Sequence, residues 1–327
     1  MPMPTRAPMP TRAPMPTRAP MLTRPEGSQP QDFHLSRRGL AALITAGYAA
    51  FAASAEAAPI TTDTDGLIVE DVTVNNPNSP LPAYVARPAG RGRFPVVIVV
   101  SEVFGVHEWV KDMARSWAKL GYVAIAPAFF HRNDPDNTLA KTTDFALIQK
   151  IVGAAHNDQV LADVGSTLNW LQNQSYVDNK RMAITGFCWG GAVVWMACAQ
   201  FSELKAGAAY YGRLSAPKPG QFMGDDQRKW PLDLADDLKA PVMGFYGGKD
   251  AGIPKADVDA MNDKLKASGN RNAQASSLNF YPNSQHGFMA DYRASYDPAA
   301  ALDAMMKTEG FFQTHHAQPG AKRGLFG

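Results

Sequence analysis

The run Val96-Val97-Ile98-Val99-Val100 limits what this 327-residue chain can fold into more than any other segment. All five side chains are β-branched, and the run is too short for a helix. Alternate residues of an extended chain point to opposite faces, so this one is apolar on both. Only a strand covered from above and below can accept it, which means an interior strand of a parallel sheet. Tyr122 to Ala126 (closed by Pro127), Arg181 to Thr185, Ala206 to Tyr211, Val242 to Tyr246 and Ser277 to Tyr281 are further strand candidates. Helical spacing separates them: Val110, Met113, Ala114, Trp117 and Leu120 up to Gly121, then Val160, Val164, Leu168 and Leu171. The apolar segment Ala192 to Phe201, the stretch around Val258-Met261-Leu265, and Ala299 to Phe312 supply more helices. Residues 66–74 and 83–87 instead alternate apolar and polar around a Pro/Asn-rich turn, the pattern of an antiparallel hairpin with one wet face. The expected fold class is α/β, a mainly parallel sheet with helices on both faces and an antiparallel N-terminal hairpin.

The first 57 residues do not belong to this pattern. Residues 3–20 are three copies of Met-Pro-Thr-Arg-Ala-Pro, whose prolines block helix and ladder alike, so 1–35 reads as a disordered repeat. Ser36-Arg37-Arg38-Gly39-Leu40 then opens an uncharged stretch that ends in Ala55-Glu56-Ala57. Residues 36–57 therefore read as a twin-arginine signal peptide: the apolar part is too short to span a bilayer, and small residues mark a cleavage site. The expected partner of the precursor is the twin-arginine export machinery, and the expected location periplasmic or secreted, or cytoplasmic if the leader does not function. No stable membrane anchor is expected after cleavage. Residues 58–327 are expected to form one domain, since no repeat or linker divides them.

The charge balance of Lys+Arg 32 against Asp+Glu 30 gives a formal net charge of +2. The leader carries that excess, with Arg6, Arg12, Arg18, Arg24, Arg37 and Arg38 against Glu26, Asp32 and Glu56. A near-neutral domain lacks the basic face that nucleic acid or an anionic membrane requires. The two cysteines, Cys188 and Cys198, are too few for a disulfide framework or a thiolate zinc site. Ten residues along a helix is about 15 Å, too far for a bridge, and Cys198 reads as core packing.

In open parallel sheets ligands bind beyond the carboxyl ends of the strands. Gly186-Phe187-Cys188-Trp189-Gly190-Gly191 follows one strand and precedes a helix. Glycines two before and two after a central residue suit a sharp strand-to-helix turn that presents a nucleophile. A thiol there feels the positive end of the helix dipole, and the Trp189 N–H points to where an oxyanion could sit. Asp250 follows the strand Val242 to Tyr246, and His286 follows Ser277 to Tyr281. His286 suits the base that takes a proton from Cys188, and Asp250 the acceptor that fixes its tautomer. The chain order Cys188, Asp250, His286 is that of α/β-hydrolases. A buried cysteine in a glycine-rich turn is the plain alternative for Cys188, and a solvated loop carboxylate the plain alternative for Glu102. There is no HExxH and no Cys/His cluster, so neither metal nor cofactor is expected.

Glu102-Val103-Phe104-Gly105, the Cys188 elbow, Asp250 and His286-Gly287-Phe288 together resemble the dienelactone hydrolase (carboxymethylenebutenolidase) family of α/β-hydrolases, over roughly residues 80–316. The resemblance implies a Cys188 nucleophile, a His286 base and an Asp250 orienter. It further implies that Glu102 helps ionise the thiol as substrate binds, and that Val103 and Trp189 N–H groups form the oxyanion hole. Ala126-Pro127-Ala128-Phe129-Phe130-His131-Arg132 resembles a family segment whose arginine grips a substrate carboxylate, which points to Arg132. The family's second arginine, four residues after the histidine, is replaced here by Ala290, with Arg293 as a substitute. The implied activity is opening of a small-molecule lactone or ester through a thioester acyl-enzyme. A general carboxylesterase or acyltransferase with a neutral substrate, and a non-catalytic binding protein on the same scaffold, are the alternatives.

Overall fold

The computed structural model describes residues 62–77, 79–219, 221–223 and 228–317; the repeat and the leader at 1–57 lie outside the described residues. In chain order the main elements are β1 (Leu67–Val74), β2 (Leu81–Pro88), β3 (Phe94–Val100), α1 (Glu108–Lys119), β4 (Val123–Pro127), α2 (Phe145–Gly153) and α3 (Asn157–Gln172). They continue with β5 (Val177–Phe187), α4 (Trp189–Gln200), β6 (Leu204–Tyr210), β7 (Val242–Gly247), α5 (Lys255–Ala267), α6 (Arg271–Gln274), β8 (Ser277–Tyr281) and α7 (Pro298–Thr314).

The strands form one sheet in the order β1-β2-β4-β3-β5-β6-β7-β8. From β4 to β8 every pairing is parallel; β1–β2 and β2–β4 are antiparallel, so the N-terminal hairpin extends the sheet. The β-branched run lies where its composition requires, with Ile98 level with Ile125 of β4 and Ile184 of β5. Val96 to Val100 are fully buried, each side chain contributing about 1.5–3 kcal/mol of transfer free energy. One consequence positions the site: the carboxyl ends of β3, β5, β6, β7 and β8 share one edge of the sheet.

Two elements differ from expectation. Helix α4 opens at Trp189, ahead of the expected apolar segment Ala192 to Phe201, so the turn is tighter than the glycine pattern suggests. It is buried along its length apart from Gln200, an apolar core helix whose N-terminus faces the site. Helix α2 was not foreseen; Asp144 caps it by accepting from the N–H groups of Ala146 and Leu147, and Ile148, Ile151 and Val152 bury its inner face.

Candidate active site

Cys188 caps α4 with φ 54° and ψ −116°, a conformation that non-glycine residues rarely adopt. Its neighbours explain how it is held. The Cys188 N–H donates to the Tyr210 carbonyl at 3.0 Å, and the Cys188 carbonyl accepts from Gly191 at 3.0 Å. A Cβ on Gly186 would stand 2.3 Å from the Gly190 oxygen, and one on Gly190 would stand 2.5 Å from the backbone oxygens of Val100 and Ser101. Bare backbone at both positions lets β5, the turn and the end of β3 close on one another. Backbone strain of this kind costs about 1–3 kcal/mol and persists where the surroundings over-determine it.

Asp250 and His286 meet this turn from the ends of β7 and β8. His286 Nδ1 lies 2.7 Å from Asp250 Oδ2, and the other Asp250 oxygen accepts from the Gly252 N–H at 2.8 Å. Cys188 lies near enough to His286 to bias its titration. Burial pulls the imidazole pKa down, but the Asp250 charge and its hydrogen bond, with Cys188 alongside, outweigh it, pushing His286 up to about 10. Cys188 is 2% exposed and His286 3%, so the group is covered.

Glu102, just past β3, is fully buried. Its Oε2 accepts from the Tyr292 hydroxyl at 2.5 Å and from Arg293 Nη2 at 2.8 Å, while Oε1 has no hydrogen-bond partner among the described residues. Arg293 stacks over the rings of Phe104 and Tyr292, at 5.0 and 5.2 Å. Burial disfavours its charge, but Glu102 and the neighbouring groups keep Arg293 protonated. Val103 follows Glu102 directly, and Trp189 supplies the first N–H of α4, which has no carbonyl one turn back within the helix. Among the described residues no group of three or more His, Cys, Asp or Glu side chains is disposed to hold a metal.

Residues 81–316 match the model of the dienelactone hydrolase family. The chain belongs to that family. Among its relatives is a protein of Methylorubrum extorquens named "Putative carboxymethylenebutenolidase", 38% identical over 286 residues, covering 86% of this chain and 94% of the relative. One of the same name from Escherichia coli K12 is 37% identical over 280 residues, covering 85% and 97%. The crystal structure of a "Putative Dienelactone Hydrolase" from Klebsiella pneumoniae superposes with a TM-score of 0.68 at 38% identity, covering 76% of this chain and 98% of that one. The protein is thus a hydrolase of the dienelactone hydrolase family with the α/β-hydrolase fold.

Both arginines that the resemblance pointed to are paired with carboxylates of the chain. Arg132 Nη1 and Nη2 bind the two oxygens of Asp163 on α3 at 2.7 and 2.8 Å, and Asn76 donates to the same carboxylate at 2.5 Å. Asp163 has no exposed surface; a carboxylate buried there needs a fixed cation, and Arg132 supplies it. The charge of Arg293 is likewise committed, to Glu102.

Three residues near the site carried no clear sequence signal. Tyr292 sits beside Arg293 in the chain, but its bond to Glu102 spans 190 positions. His107, at the N-cap of α1, is sandwiched by Phe104, Trp109 and Tyr292; burial chiefly, with Arg293 adding to it against the pull of Glu102, drives its pKa down to about 4. Tyr211 ends the predicted strand run Ala206 to Tyr211, and that position at a strand's carboxyl end was the available clue. Cys198 is fully buried core, and burial raises its pKa well above the usual thiol range.

Proposed function

We propose that the protein hydrolyses a carboxylic ester or lactone through a thioester on Cys188. The observation that supports this reading is the Asp250–His286 hydrogen bond on the same sheet edge as Cys188, which stands at the N-terminus of α4. The Cys188 sulfur adds to the carbonyl carbon, and the oxygen that gains charge is held by the N–H groups of Val103 and Trp189. The carbon–oxygen bond then breaks, and the departing oxygen takes the proton that His286 carries at neutral pH. Water next gives a proton to His286 and adds to the thioester, releasing the acid and the thiolate. Glu102 is held off by Tyr292 and Arg293 at rest; its release on substrate binding brings a carboxylate to take the thiol proton. The commitment of both Arg132 and Arg293 favours an uncharged ester or lactone over one recognised by its carboxylate.

An activity screen over enol-lactones, neutral esters and acidic esters, with Cys188→Ala alongside, tests this reading. Neutral substrates should be turned over, and the variant should lose that activity. For the precursor we propose export by the twin-arginine route, supported by Arg37-Arg38 ahead of the uncharged stretch Leu40 to Ala53. Replacing both arginines with lysine should leave the protein in the cytoplasmic fraction.

A further inference from the structure

Tyr211 differs from the other buried tyrosines around the sheet. It stands just past β6, on the same edge as Cys188, Asp250 and His286, and its backbone is gripped from both sides. The Tyr211 N–H donates to Phe245 of β7 at 2.8 Å, and the preceding carbonyl receives the Cys188 N–H. At the next residue a Cβ would stand 2.3 Å from the Gly191 carbonyl carbon, so the chain lies directly on the start of α4. Between these contacts Tyr211 is held at φ 40°, in the left-handed region that a bulky side chain enters only under constraint.

The ring lies 5.0 Å from the His286 ring and 5.3 Å from Phe288. Its hydroxyl is buried and has no hydrogen-bond partner among the described residues, a deficit of about 1–3 kcal/mol for a buried polar group. Other buried tyrosines meet this requirement: Tyr210 bonds Thr308 at 2.6 Å, Tyr246 accepts from Trp195 at 3.2 Å, and Tyr292 bonds Glu102. Tyr122 shares the deficit, but it precedes β4, at the opposite edge of the sheet from the elbow, and its φ is not among the positive ones. Tyr211 alone of these combines an unspent donor, constrained backbone and the reacting groups. Burial and the nearby Glu102 charge hold its proton on well above the usual phenol range, so it remains a donor at any working pH.

We propose that the Tyr211 hydroxyl is a catalytic hydrogen-bond donor to the leaving-group oxygen. The proposal rests on the thioester reading. As the tetrahedral intermediate collapses, the carbon–oxygen bond breaks and its electron pair passes to the departing oxygen, which takes its proton from His286. Tyr211 keeps its own proton and donates to that oxygen while charge builds; the sulfur–carbon bond survives as the thioester. The ring packs on His286, the residue that delivers the proton to the departing oxygen. A bond made only as charge develops accelerates the step without tightening ground-state binding.

Tyr211→Phe removes one oxygen and keeps the ring. With ethyl butyrate, whose leaving group is a poor one, kcat/KM should fall about 10- to 100-fold, the order of one donor's contribution to developing charge. With 4-nitrophenyl butyrate, whose leaving group needs little help, it should fall less than about threefold, and Tm should hold or rise because an unpartnered hydroxyl has been removed. Equal loss on both esters, no loss on either, or a fall in Tm with equal loss would overturn the role of Tyr211. Cys188→Ala separates the two levels: if it retains 4-nitrophenyl butyrate hydrolysis the thioester reading fails, and if it abolishes it only the Tyr211 outcome decides.

Discussion

Glu102 and Arg293 face each other at 2.8 Å in a space where Arg293 is 5% exposed and Glu102 not at all. Tyr292 completes the arrangement from the other side of the same carboxylate oxygen. Removing one partner of a buried ion pair typically costs about 3–5 kcal/mol, and removing one hydrogen bond to a buried charge about 1.5–3 kcal/mol. Arg293→Ala should therefore lower the urea midpoint further than Tyr292→Phe does. Tyr292→Phe should also loosen Glu102, and iodoacetamide should alkylate Cys188 faster in that variant than in the wild type. An unchanged alkylation rate would contradict the role assigned to Glu102.

The His286–Asp250 pair sets a pH dependence. An imidazole whose folded pKa lies near 10 against an ordinary value near 6.5 binds its proton more tightly in the native state. Unfolding then releases a proton in that window, so the pair's stabilisation is complete below about pH 6.5 and is lost as pH rises toward 10. Urea titrations at pH 6, 8 and 9.5 should show this decline in the wild type and a flatter profile in Asp250→Asn.

Asp291, beside Tyr292, moves stability the same way for a different reason. Burial, reinforced by Asp112, raises its carboxyl to about 7. The native state therefore holds a proton that the unfolded state gives up near pH 4, and stability falls as pH rises from about 4 to 7. Asp291→Asn should match the wild type in Tm at pH 4 and exceed it at pH 8.

Arg132→Ala leaves Asp163 buried without its guanidinium partner, with Asn76 still donating to it, and should destabilise the fold by about 3–5 kcal/mol. The ratio of acidic to neutral ester hydrolysis should not change. Adding Asp163→Leu should recover much of the lost stability; a selective loss of acidic substrates would restore Arg132 to substrate binding.

What the chain made legible and what it hid follow one division. Runs such as Val96 to Val100 announce their burial because both faces are apolar, and the turns after them expose Cys188, Asp250 and His286 at strand ends. Contacts between distant segments leave no such trace. Nothing near Arg132 announces Asp163, 31 positions on, and Arg293 reads as a spare cation until Glu102 is seen against it. Tyr211 and Tyr292 look like ordinary strand and loop aromatics in sequence; only their hydrogen bonds, or the want of one, set them apart. Helix α2 was missed because its buried positions Ile148, Ile151 and Val152 cover little more than one turn.

The most direct measurement is mass spectrometry, intact and after proteolysis, of the protein quenched during turnover of 4-nitrophenyl butyrate, in the wild type and in His286→Gln. The thioester mechanism predicts a butyryl adduct on the peptide containing Cys188, short-lived in the wild type and persistent in His286→Gln, where deacylation lacks its base. Turnover with no adduct on Cys188 in either protein, or hydrolysis undiminished in Cys188→Ala, would contradict it.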